Sequence, residues 1–232
     1  MSFSTASCVE NDTSLYVEAV LAPDPPDCQY TADPGATQLF RGYLDVALKA
    51  DYEAVVLVAN QMAPRGDKQQ LRSETMGVEL RGAEIRLTTA RGEVVEEFSV
   101  PAGGFVHANE SDDPGYGAAL ITLIPAGRGA SLADQLRDDP GNPRLLVSNI
   151  RVFGTTLGGL DVTSGEFRFP IQVCYGCLIY YPLEALVDSG DGPQCLGDGD
   201  VSTTQCFPGQ DGAVDCRSCA GQLELCLSPQ TL

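Results

Sequence analysis

The 232-residue sequence has no tryptophan, one histidine and two lysines, and each shortage removes a class of activity. With His107 as the lone imidazole, histidine-built metal centres and mechanisms that need two imidazoles lack their parts. Twelve arginines and the two lysines are scattered among 32 acidic residues, for a net charge of -18. The clustered positive field that neutralises phosphates is missing, so no nucleic-acid partner is expected. Long apolar runs are missing as well. A membrane-spanning helix needs about 20 largely apolar residues, and the longest uninterrupted stretches, near 54–60 and 118–125, are of strand length. The phosphate-cradle, dinucleotide, zinc-protease and nucleophile-elbow signatures do not occur, so no enzyme class is indicated.

What is present describes a folded, acidic chain of short elements. Hydrophobic residues make up 43%, enough for a core, and 25 glycines with 15 prolines imply many turns. From Leu15 to Val173 the dominant pattern is period-two alternation in short runs, the signature of strands with one buried face. Leu15, Val17, Ala19 and Leu21 share a face, as do Phe40, Leu44, Val46 and Leu48, with Arg41, Tyr43, Asp45 and Lys49 on the wet side. Phe167, Phe169, Ile171 and Val173 repeat the pattern opposite Glu166, Arg168 and Gln172. The run 52–60 is apolar on both faces, as expected of a central strand. Residues 85–88 and 94–100, joined through Ala90-Arg91-Gly92, read as a hairpin, and the longest loop is expected near 101–117.

One short helix is expected from a Ser131 cap, with Asp134 three residues on, to a stop at Gly141. A second is expected to start at Pro182. Seven to nine strands between 14 and 176 predict an all-β fold, an immunoglobulin- or fibronectin-like antiparallel β-sandwich. Residues 1–13 form a tether and 177–232 a separate tail, where eight acidic residues face Arg217 alone and alternation fades.

Seven of the nine cysteines, Cys174, Cys177, Cys195, Cys206, Cys216, Cys219 and Cys226, fall in the last 59 residues. The two CxxC pairs, 174–177 and 216–219, are also the form taken by half-sites of a thiolate zinc centre. The irregular spacing of the other cysteines favours a disulfide framework in an oxidising compartment. A thioredoxin-like role for a CxxC pair expects a βαβ setting, which this region lacks. Cys28 is expected to cross the sequence to a partner among the seven, with Cys174 or Cys177 favoured because the strand ending at Val173 leaves the sandwich there. Cys8 is then the odd one out. Thr5-Ala6-Ser7-Cys8 looks like the end of a bacterial lipobox, with Thr5 where leucine is usual. The seven residues before Cys8 are too few for a signal peptide's apolar region, so a leader is expected upstream.

The segments Cys8-Val-Glu-Asn, Val58-Ala-Asn-Gln61 followed by Arg65-Gly66-Asp67, and Cys206-Phe-Pro-Gly-Gln-Asp-Gly-Ala-Val-Asp-Cys216-Arg-Ser-Cys219 together resemble a family of uncharacterised myxobacterial cell-envelope lipoproteins. The resemblance runs over most of the chain. It implies an exported protein, held by lipid at Cys8 in the bacterial envelope and at its outer membrane, and it implies no substrate.

The remaining candidates carry weak signals. Asp188, Asp191, Asp198, Asp200, Asp211 and Asp215 offer oxygen ligands to calcium, but their spacing matches no calcium loop, and Asp-Gly is ordinary turn chemistry. Arg65-Gly66-Asp67 reads as a solvated turn, His107 as a surface residue in a polar loop, and the sequons at Asn11 and Asn109 as chance matches. The expectation is therefore a non-enzymatic binding or structural module without a cofactor. Its partners are a membrane, through the anchor, and an envelope protein or polysaccharide. The alternative is an extracytoplasmic hydrolase whose carboxylate pair converges only in three dimensions.

Overall fold

The computed structural model describes residues 14–65, 73–109, 113–180 and 206–215. Cys8, Cys195, Cys216, Cys219, Cys226, Asp188, Asp191, Asp198, Asp200, the Gly66-Asp67 part of the tripeptide, Asn11 and the helix expected from Pro182 lie outside these residues. The fold is an all-β sandwich of two packed sheets with one short helix. The first sheet has the order β2-β1-β4-β7, formed by β2 (Gln38–Leu39), β1 (Leu15–Leu21), β4 (Tyr52–Asn60) and β7 (Gly115–Ile124). The second has the order β3-β10-β8-β5-β6, formed by β3 (Gly42–Asp45), β10 (Phe167–Cys174), β8 (Arg144–Thr156), β5 (Val78–Thr89) and β6 (Val94–Val106), with β9 (Asp161–Thr163) on β8. A third pair, β11 (Ile179–Tyr180) with β12 (Val214–Asp215), runs parallel, as does β3 on β10.

The core follows the alternation. Phe169, Ile171 and Val173 of β10 meet Val56 and Val58 of β4 and Ile121 and Leu123 of β7 in one apolar cluster between the sheets. β4 is central, as its two apolar faces require: its far face buries Val55 and Leu57 with Leu21 in a second cluster, covered by Tyr30 and Ala36 of the β1–β2 loop. The hairpin also forms, with Ile85 opposite Phe98.

Four expectations are corrected. A bulge between Val17 and Ala19 breaks the β1 alternation, so Val20 joins Leu15 and Val17 inside while Leu21 faces the outer cluster. The run 40–49 is not one strand. The chain passes from the first sheet at Leu39 to the second at Gly42, leaving Phe40 86% exposed, while Asp45, expected on the wet side, is fully buried. The long loop at 101–117 is mostly strand. Its glycines let β6 and β7 cross closely at the corner of the sandwich, where a Cβ on Gly117 would overlap the Phe105 carbonyl.

The helix, α1 (Ala126–Leu136), begins five residues before Ser131, directly after Pro125, whose carbonyl accepts from the Arg128 and Gly129 amides. Gly129 is where α1 presses on the Ala50 carbonyl, and a Cβ there would overlap it. Gly129→Ala is expected to cost about 3 kcal/mol by overpacking. Gly127→Ala, which meets nothing within 4 Å, should be neutral or stabilising by up to about 1 kcal/mol. Urea midpoints of the two variants would check this, and equal shifts would show that α1 does not seat on Ala50.

Candidate functional site

At the end of β1, proline ends a ladder. Leu21 pairs with Val55, and the next partner for Glu53 would be Pro23, which has no N–H to give. The chain turns away there through Pro25 and Pro26, and a segment from far along the sequence takes the vacated place. Gln210 Nε2 donates to the Glu53 carbonyl at 2.5 Å, and the Glu53 amide donates to Gln210 Oε1 at 3.3 Å. The same segment lies along the free edge of β3: the Asp45 amide donates to the Gly209 carbonyl and the Asp211 amide to the Tyr43 carbonyl. It thereby covers an edge that would otherwise be open to pairing.

Two connections fix this segment. One is the disulfide between Cys28 and Cys206, 178 residues apart in sequence. Cys28 therefore crosses to the C-terminal cluster as expected, but to Cys206 rather than Cys174 or Cys177, because the last two are joined to each other. The end of β10 meets the β3 edge, whereas the β1–β2 loop reaches the segment that covers it. The other connection is Asp211. Its Oδ1 accepts from the Tyr43 amide and its Oδ2 from the Tyr52 hydroxyl, both at 2.7 Å, across 168 and 159 residues. Burial raises the Asp211 carboxyl above its ordinary range, partly offset by these donors. Burial likewise pushes the Tyr52 hydroxyl far upward, so it stays a donor. Asp211 was singled out as a calcium ligand, and here both of its oxygens serve the protein's own groups. Asp215, singled out with it, is the last residue of β12.

Between the segment and the strand ends lies a cavity of about 350 Å³. Its walls are largely apolar, from Val20, Leu21, Leu39, Val55 and Phe207, with Tyr30 at the side and the bridged Cys206 on the rim. Glu53 and Asp211 are its acidic members. Burial raises the Tyr30 hydroxyl, and the negative charges of Asp211 and Glu53 add to the effect.

His107 is exposed and meets Phe105 edge-on at 5.0 Å between ring centroids; it stands apart from the cavity. Arg65 is exposed. A second concavity, on the outer face of the second sheet, is polar, and there Arg86 is ion-paired to Glu166. Asp45, Cys174 and Cys177 form the one group of metal-type ligands found among the described residues, and its two sulfurs are bonded to each other. The two disulfides point to an oxidising, extracytoplasmic compartment. No helix among the described residues is long and apolar enough to cross a membrane.

Sequence reasoning missed Tyr52, Gln210 and the cavity. Tyr52 carried the signal of a core strand position, and nothing local couples it to Asp211. No protein-family model matches the chain, and none of the curated proteins compared with it matches either.

Proposed function

We propose that the chain is a non-enzymatic binding module of the bacterial envelope, exported and held at the outer membrane by lipid on Cys8. In this reading it takes a small, largely apolar ligand in the cavity beneath the Cys28–Cys206 bridge. The observation that carries the reading is the cavity itself, which falls within the roughly 300–1,000 Å³ typical of small-molecule pockets. Its acidic members and the net charge of -18 favour a neutral or cationic ligand over an anionic one. An apolar lining suits a hydrophobic molecule better than a polysaccharide.

β1 starts at Leu15, opposite Asn60, and rises about 20 Å to Leu21 on the cavity wall. The described chain therefore enters the sandwich at the end away from the cavity. The resemblance to myxobacterial envelope lipoproteins agrees with export and anchoring. The hydrolase alternative has less support, since both Asp211 oxygens accept from the protein's own donors and Glu53 Oε2 is ion-paired to Lys49 Nζ at 4.0 Å.

Binding of the neutral probe N-phenyl-1-naphthylamine tests the proposal. Fluorescence titration should show saturable binding to the native protein, and Ala22→Phe, which fills the cavity from its wall, should weaken it at least tenfold with no loss of fold by circular dichroism. Equal binding by the variant would remove the cavity as the site.

A further inference from the structure

The bridge at the end of β10 is built differently from the one over the cavity. Cys174, the last residue of β10, is buried, whereas Cys177 is exposed, and the turn between them passes through Gly176 at φ +74°. The bridge spans three residues against 178 for the other, so it constrains the unfolded chain far less. The shape of the loop also has a second support. The Asp45 carboxylate, fully buried beneath the loop, accepts from the Gly176 amide at 2.7 Å and the Ala47 amide at 3.0 Å on Oδ1, and from the Leu178 amide at 2.9 Å on Oδ2. Those bonds hold the loop by its backbone, in addition to the sulfur–sulfur bond. An ionised carboxylate has about four acceptor positions, and a carboxylate oxygen lies with both sulfurs inside 4.8 Å. The dithiol form would therefore stay poised to close again.

We propose that Cys174 and Cys177 form a thiol–disulfide exchange centre for exposed dithiols on other extracytoplasmic proteins, with Asp45 as its positioning residue. A partner thiolate attacks Cys177 Sγ, the sulfur open to solvent, and forms the mixed disulfide. The Cys174–Cys177 bond breaks, and its electron pair leaves on Cys174 Sγ, which takes a proton from water. The partner's second thiolate then attacks the partner sulfur of the mixed disulfide and releases Cys177 as a thiolate, which takes a proton from water. The partner ends as a disulfide, having lost two electrons, and the pair 174/177 ends as two thiols.

The test uses the full-length native protein. Under dithiothreitol without denaturant, followed by N-ethylmaleimide and peptide mapping, the Cys174–Cys177 bridge should open at least tenfold faster than Cys28–Cys206. Cys174→Ser should capture oxidised glutathione as a mixed disulfide on Cys177, while Cys177→Ser should leave Cys174 unmodified. Asp45→Asn should move the pH midpoint of Cys177 alkylation in the reduced protein downward, because a negative charge beside the sulfur no longer opposes its thiolate. A bridge that opens only on unfolding, or equal glutathione capture at Cys174, would overturn the proposal. An unmoved alkylation midpoint would remove Asp45 from the centre.

Discussion

Replacing Cys28 and Cys206 together by serine is expected to lower the unfolding free energy by about 5 kcal/mol, because the bridge closes a loop that spans 178 of the 232 residues. Opening the Cys174–Cys177 bridge removes only about 2 kcal/mol by the same chain-entropy reasoning. Single domains are typically stable by about 5–15 kcal/mol, so the first loss would remove about a third or more of the protein's stability. It would also act locally, since Cys206 heads the segment that satisfies Glu53 and covers β3. In the surviving sandwich, hydrogen exchange should show the amides of Gln210 and Asp211 losing protection before those of β4. Urea denaturation without reductant measures the first effect. A difference below about 1 kcal/mol would mean that the bridge is a surface ornament on an already closed fold.

Tyr52→Phe is also expected to destabilise the fold. The ring stays in its place beside Phe169, at 6.1 Å between centroids, but Asp211 Oδ2 loses its donor in a half-buried position. A hydrogen bond to a carboxylate of this kind contributes about 1.5–3 kcal/mol. The pH dependence has a definite sign. The Asp211 carboxyl titrates higher in the folded protein than in the unfolded chain, so the folded state holds its proton more tightly. Its contribution is fully present below the ordinary carboxylate range and is lost as pH rises through the folded value. Asp211→Asn keeps the shape and removes the charge, so it should be stabilised relative to the parent as pH rises above about 4. Parallel stability curves for the two proteins would show that Asp211 is not buried in its ionised form.

The sandwich was legible in the sequence because alternation reports which face is wet. It succeeded for β10 and for the two-faced β4. It failed where a backbone irregularity resets the face, at the β1 bulge and between Leu39 and Gly42, where the chain changes sheets. Asp45 reads as a solvent-facing residue from alternation, and Asp211 as a turn residue or a calcium ligand from the Asp-Gly composition around it. Asp45 is buried and Asp211 half-buried, each held by donors supplied from distant parts of the chain, Gly176 and Leu178 for Asp45, and Tyr43 and Tyr52 for Asp211. Such partners have no local signature. The crossing of Cys28 into the C-terminal cluster was legible from cysteine positions, but its choice of Cys206 depends on which loop meets which edge, and that is a property of the assembled sheets.

The cavity is tested most directly by methyl NMR spectra of the native protein titrated with N-phenyl-1-naphthylamine. Shifts should concentrate on the methyls of Val20, Leu21, Leu39 and Val55 on its walls, saturate with one probe per chain, and spare Ile150 and Val152 in the core between the sheets. Shifts centred instead on the exposed side chains Leu120, Leu157 or Leu160 would show that the probe adheres to the surface and that the cavity binds nothing.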